Sequence, residues 1–183
     1  MKLKINKPRL KNVIVLCVGI FSFVFITGCL LYQYGLRFNI TTSLPVGFWK
    51  IDKNYGSIKK GDYVWFTPTK AIADFGIKRG YLPEISKCQN NSLPLLKCVY
   101  GLPGDTYSFN EDRVCINGNS VENVKRRKTD SKGRKMPVIS NDIVPKDQLF
   151  VLTLHSHSYD SRYYGTIPIK NIEGTAKPIF VWN

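Results

Sequence analysis

The chain has 183 residues, 43% of them hydrophobic and 13% aromatic, with 27 Lys and Arg against 13 Asp and Glu and a formal charge of +14. One domain's length excludes a multidomain machine, the apolar and aromatic content argues against disorder, and five irregularly placed cysteines exclude a dense disulfide framework. The excess of positive charge fits nucleic acid, an anionic membrane or membrane topology, and its place along the chain must choose among them.

Lys2, Lys4, Lys7, Arg9 and Lys11 precede residue 12, and no charged residue follows until Arg37. Within that gap residues 13–32 are nearly all apolar, and 20 helical residues at about 1.5 Å each reach the roughly 30 Å of a bilayer core. Arg37 and Lys50 are the only basic residues between the apolar run and residue 51. The positive-inside bias therefore predicts a cytoplasmic tail at 1–12, a transmembrane helix at 13–32 and an exported domain at 35–183, with Tyr32 and Tyr34 at interfacial height. A cleaved secretory signal is a rival reading, but its apolar stretch is usually shorter, about 7 to 15 residues. A second rival is Ile26-Thr27-Gly28-Cys29, which is similar to a lipoprotein processing site with Cys29 as the acylated residue. The apolar run continues through Leu30, Leu31 and Tyr32, whereas a lipoprotein normally turns polar after its cysteine.

The exported part reads as mainly β. Residues 48–51, 63–66, 95–100, 149–154 and 178–182 are short β-branched or aromatic runs bounded by Gly, Pro, Asn and Asp. Asn117-Gly118 between two such runs predicts a hairpin with a type I′ turn, which needs positive φ at both central residues. One short helix is predicted after Thr67-Pro68, with Thr67 as cap, Pro68 at the first helical position and Gly76 and Gly80 limiting its length. The expected architecture is an antiparallel β-domain with a small insertion hairpin, at about 107–148, preceded by one transmembrane helix. Cys88, Cys98 and Cys115 allow at most one intramolecular bridge, and spacing does not choose among the three pairings. Cys17 and Cys29 fall in the apolar segment and read as packing residues.

His155 and His157 are the only histidines, so a Ser/His/Asp triad would have to use one of them. A zinc site would need at least a third ligand, and the plainer reading is two polar residues at a loop or strand end. Lysine can serve as a base instead if it is neutral. Bringing an amine from about 10.4 to near 7 takes roughly 4 kcal/mol of differential stabilisation, which burial among apolar groups can supply. Lys97 is written that way, in the otherwise uncharged run Pro94-Leu95-Leu96-Lys97-Cys98-Val99-Tyr100, although the pattern also fits a strand lysine facing solvent.

Four segments bear on that choice together. Thr42-Ser43-Leu44-Pro45-Val46-Gly47 resembles the nucleophile box of the signal peptidase I superfamily of Ser/Lys peptidases. Lys59-Lys60-Gly61-Asp62-Tyr63-Val64 is similar to that family's next strand, and Leu96-Lys97-Cys98-Val99-Tyr100-Gly101-Leu102-Pro103-Gly104-Asp105 to its general-base box. Ser158-Tyr159-Asp160-Ser161-Arg162-Tyr163-Tyr164-Gly165 is similar to its C-terminal box. The four occur in the family's order. With the chain length, the single N-terminal span and Arg79-Gly80-Tyr81-Leu82-Pro83 ahead of the lysine box, the chain looks most like the TraF branch, the maturation peptidases of conjugative plasmid transfer.

The resemblance implies Ser43 as nucleophile and Lys97 as general base, with the Ser43 backbone N–H and the Thr41 hydroxyl holding the oxyanion. It implies that Ser158 orients the lysine amine and that Asp160 and Arg162 pair behind the site, with no metal and no cofactor. Gly101, Pro103, Gly104 and Asp105 shape the turn after the lysine strand. The implied substrate is a membrane-associated protein precursor, in the TraF branch a pilin precursor whose trimming can be coupled to ring closure. The implied setting is the bacterial inner membrane with the catalytic domain in the periplasm and other conjugation components as partners. General signal peptidases usually carry Met after the nucleophile and a Gly-Asp-Asn-Arg stretch ahead of the C-terminal box. Here Leu44 and His155-Ser156-His157 stand there, and Cys98 follows the lysine where Arg is common. A general signal peptidase and a catalytically silent assembly factor are the alternatives.

Residues 125–135 hold seven Lys and Arg and one acid. In an exported domain that run reads as a solvated loop, with anionic lipid headgroups as its functional rival and no nucleic acid expected.

Overall fold

The computed structural model describes residues 7–182, so Lys2 and Lys4 of the basic tail lie outside the described residues. The chain divides into two compact units, 1–37 and 38–183. In the first, helix α1 (Lys7–Gln33) contains a 24-residue apolar stretch from Leu10 to Gln33 whose large side chains are exposed throughout. At about 1.5 Å per residue that stretch is long enough for a bilayer core, and one N-terminal apolar helix fits a single-pass membrane protein. Arg37 closes the unit by donating to the Tyr32 carbonyl (2.7 Å) with its guanidinium 3.5 Å over the Tyr32 ring.

The second unit is mostly antiparallel β. Its larger sheet takes the end of strand β1 (Leu36–Asn39) with β2 (Val46–Asp52), β3 (Tyr63–Phe66), β4 (Leu95–Gly101), β9 (Gln148–Leu152), β10 (Ile167–Pro168) and β11 (Ile172–Trp182), in the order β1-β2-β11-β3-β4-β9-β10. A four-stranded sheet, β7-β6-β5-β8, is built from β5 (Thr106–Asn110), β6 (Arg113–Ile116), β7 (Asn119–Lys125) and β8 (Asp142–Ile143). Among the described residues all five cysteines are free.

Alternation along β4 and its neighbours assigns the cores. Leu95, Lys97 and Val99 face one side, where Val64, Phe66, Leu149 and Val151 pack with Ile72 and Tyr159. Leu96 faces the other side with Leu44, Trp49, Ile51 and Ala176. On β9 the same alternation sends Leu149 and Val151 to the first core, while Phe150 and Leu152 pack under the smaller sheet with Tyr107, Val114 and Val124. Most of β4 is therefore covered on both faces, which is why its sequence reads as an apolar run and why a lysine within it is shielded.

The Asn117-Gly118 turn forms as its sequence demands, with φ of 51° and 77° between β6 and β7. The helix after Pro68 is α2 (Lys70–Arg79), and its start corrects the expected one. Thr69, not Thr67, caps it by accepting from the Ile72 N–H (3.4 Å), and Pro68 lies before the cap. Thr67 is held elsewhere: its N–H donates to the Asn171 carbonyl and its hydroxyl to Glu173. Gly76 does not limit the helix, which runs on to Arg79; its role is contact, because a Cβ there would stand 2.7 Å from Leu82 Cδ1. The run at 149–154 ends as a strand at Leu152, after which the chain turns into the loop carrying His155 and His157.

Candidate active site

Ser43 lies in the turn joining β1 to β2. That turn is anchored at its C-terminal side. Leu44 is buried against Trp49, whose indole Nε1 donates to the Pro45 carbonyl (3.1 Å). Gly47 sits at φ 139° with β11 so close that a Cβ would meet the Phe180 carbonyl oxygen at 2.3 Å, so only glycine lets the strand return there. At its N-terminal side Asn39 is buried and bonded to the turn, its Nδ2 donating to the carbonyls of Thr41 (2.9 Å), Leu44 (3.1 Å) and Pro45 (3.0 Å). Asn39 was not legible as a site residue from the sequence, where an asparagine at a strand end signals a turn; the hydrogen bonds identify it.

Lys97 comes from the middle of β4 and is 5% exposed. Its Nζ is 3.4 Å from Ser43 Oγ and 3.1 Å from Ser158 Oγ. Burial lowers its pKa to about 8; the nearby Asp160 carboxylate pushes the other way and the Arg162 guanidinium lowers it further. The solvent-facing alternative for this lysine is thereby corrected, because core side chains cover the face of β4 on which it stands. Cys98, facing the opposite side, has its thiol pKa raised to about 11 by burial and by the Asp62 carboxylate, which leaves it protonated and unreactive at neutral pH.

Ser158 is fixed from behind. Asp160 and Arg162 are fully buried and pair through Nε–Oδ1 (2.8 Å) and Nη2–Oδ2 (2.6 Å). Nη1 also donates to the Lys125 carbonyl (3.0 Å) and Nη2 shares its second proton between the carbonyls of His155 (2.9 Å) and Thr153 (3.3 Å), while Asp160 accepts from the Thr153 N–H (3.2 Å). The ion pair thus ties both ends of the 153–158 loop and the end of β7 together, and Asp160 also caps the short helix α3 (Ser161–Tyr164). Thr41 stands at the front, its Oγ1 2.8 Å from Asn39 Oδ1 and 3.2 Å from Ser43 Oγ.

Ser43 and Lys97 line a cleft of about 530 Å³ with apolar walls from Phe38, Ile40, Leu93 and Met136. Its lining also includes Arg127, Thr129 and Asp130 from the basic run, whose lysines are exposed as a solvated loop's would be while its one acid is held in place. Asp130 accepts from the Tyr81 hydroxyl (2.7 Å) and Arg134 Nε (2.7 Å) and pairs with Arg79 (3.5 Å), pinning the run to the end of α2. His157 pairs with Arg127 on the rim of the same cleft. Among the described residues no group of three or more His, Cys, Asp and Glu could hold a metal ion.

The structure therefore brings Ser43, Lys97, Thr41, Ser158, Asp160 and Arg162 into one cluster. Comparison with known proteins gives the same region a family. The model of "Signal peptidase, peptidase S26" matches residues 9–182. A conjugal transfer protein TraF of Agrobacterium fabrum is 35% identical over 150 residues, covering 81% of this chain and 84% of that protein. A plasmid transfer protein TraF of Escherichia coli is 28% identical over 156 residues, covering 82% and 85%. A signal peptidase I of Leptolyngbya laminosa is 33% identical over 131 residues, 69% of this chain and 55% of its own length. The crystal structure of a signal peptidase I from Enterococcus faecalis aligns with a TM-score of 0.41 at 23% identity, covering 66% of this chain and 97% of that one. A family match that spans nearly the whole chain makes the conclusion direct: this protein belongs to the peptidase S26 signal peptidase family.

Proposed function

We propose that the chain is a membrane-bound serine endopeptidase with a Ser43/Lys97 dyad, and that its substrate is a pilin precursor of a conjugative transfer system. The observation that carries the reading is the row Ser158 Oγ, Lys97 Nζ, Ser43 Oγ, with spacings of 3.1 and 3.4 Å around a shielded amine. A neutral lysine has two protons and one lone pair. Donating one proton to Ser158 turns the lone pair toward Ser43, so the amine can accept the Ser43 proton as Oγ attacks the scissile carbonyl. The Ser43 N–H and the Thr41 hydroxyl hold the oxyanion. When the C–N bond breaks, Lys97 returns the proton to the leaving amine. Water, or an amine that would close a ring, resolves the acyl ester after giving a proton to Lys97. Asp160 and Arg162 act at one remove, through the loop that carries Ser158.

The TraF relatives favour a conjugative substrate over a secretory one. The membrane position follows from sequence order: Ser43 comes soon after the apolar helix ends at Gln33, so the nucleophile is tethered near the layer that holds a membrane-inserted precursor. The basic residues before the helix orient it with the catalytic unit in the periplasm. The reading is tested in cells supplying either a conjugative pilin precursor or an ordinary secretory precursor. The pilin precursor should be shortened and the secretory precursor left intact; the reverse pattern assigns the chain to general secretion. Processing of neither, with the protein folded and in the membrane, supports the silent assembly factor.

A further inference from the structure

Asn39 is bonded to the nucleophile turn on both sides of its carboxamide. Nδ2 donates to the carbonyls of Thr41, Leu44 and Pro45, and Oδ1 accepts from the Thr41 N–H (3.2 Å) and Thr41 Oγ1 (2.8 Å). Three carbonyls around Nδ2 permit only one orientation of the amide, since a flipped group would set its oxygen against three acceptors. Oδ1 is then fixed as an acceptor. The Thr41 hydroxyl has a single proton and commits it there, so the 3.2 Å contact between Thr41 Oγ1 and Ser43 Oγ is one in which Ser43 donates.

We propose that Asn39 is a positioning residue for the reaction: it locks the turn that presents Ser43 and orients the Thr41 hydroxyl, so that Thr41 and Lys97 compete for one Ser43 proton. At rest that proton lies toward Thr41. On attack it passes to Lys97, and Thr41, no longer accepting from Ser43, turns its own proton from Asn39 to the developing oxyanion. Oδ1 keeps the Thr41 N–H throughout, so the exchange leaves no buried acceptor without a donor. The inference rests on the Ser43/Lys97 reading and adds to it a residue outside the four boxes.

The test uses the full chain in detergent and an internally quenched peptide with alanine on both sides of the scissile bond. Asn39→Ala should lower kcat about a hundredfold with KM within about threefold, and Thr41→Val should fall by a similar factor. Because one residue acts through the other, the double variant should be no more than about threefold worse than the weaker single. Asn39→Asp, equal in size but without the N–H groups, should fail to rescue. Should the Asn39 variants not fold, Thr41→Val against Thr41→Ser carries the test, with loss in the first and near-full rate in the second. Wild-type kcat in Asn39→Ala, independent multiplying effects, or wild-type kcat in Thr41→Val overturns the inference. Ser43→Ala, run alongside, separates the two levels: if it stays active the peptidase reading itself fails, and if it is dead while Asn39→Ala is fully active only the positioning role fails.

Discussion

A lysine amine in water holds its proton to about pH 10.5, and Lys97 is brought to about 8 chiefly by the core side chains that exclude water from it. Below pH 8 the amine is protonated and has no lone pair for Ser43, so kcat/KM should fall tenfold per pH unit as pH drops through that value. Asp160 opposes the shift, because its negative charge favours the protonated amine. Asp160→Asn should therefore move the acid limb to lower pH when rates are measured per folded molecule, and a limb that stays in place contradicts this electrostatic link. The same change leaves a fully buried guanidinium short of its partner and should cost on the order of 3 to 5 kcal/mol in denaturant melts. At this scale the boxes in the sequence marked Ser43, Lys97 and Ser158, and the structure brings these three within hydrogen-bond distance. Asn39 was illegible because its role is a set of bonds to backbone carbonyls, and backbone geometry has no one-letter code.

Among the elements, strands with dense β-branched and aromatic runs, β3 and β4, were legible almost to the residue, since burial on a pleated surface selects those side chains. Strands β1 and β8 were not, since Leu36-Arg37-Phe38-Asn39 and Asp142-Ile143 carry no dense apolar run and are held as strands by their neighbours. The α2 start was displaced by two residues because tertiary bonds to Asn171 and Glu173 claim Thr67 and leave the cap to Thr69. The basic run is exposed over most of its length, as its composition describes, and the structure adds what holds it. Composition alone describes a charged loop, whereas the single acid within it, Asp130, organises it. The Tyr81 hydroxyl and the Arg134 and Lys132 donors hold that carboxyl far below the usual carboxylate range, so the clasp persists into acid. Asp130→Asn should loosen one wall of the cleft without touching the dyad. Steady-state kinetics should show KM raised severalfold with kcat within about twofold; a lost kcat with unchanged KM would place Asp130 in the chemistry instead.

For the whole molecule, the charge of +14 that opened three readings is concentrated in the five basic residues before the span and the run at 125–135. One is the expected topology signal, and the other is folded onto the cleft. Neither requires nucleic acid. Periplasmic and cytoplasmic reporters fused after Asn183 check the orientation: alkaline phosphatase should be active and a cytoplasm-dependent fluorophore dark, and the opposite result would invert the topology. The family was legible from four short boxes in order, and the antiparallel fold and the apolar helix from longer patterns, while the register of the 153–158 loop behind Lys97 depends on a buried ion pair that only the structure displays. In the proposed mechanism Ser43 and Lys97 together cleave the peptide bond. The most direct measurement of this is mass spectrometry of a pilin precursor incubated with purified full-length Ser43→Ala, Lys97→Ala and wild-type protein, with thermal melts confirming that all three are folded. Wild type should yield the shortened product and both variants only intact precursor; an unchanged rate of product in either variant would contradict the dyad.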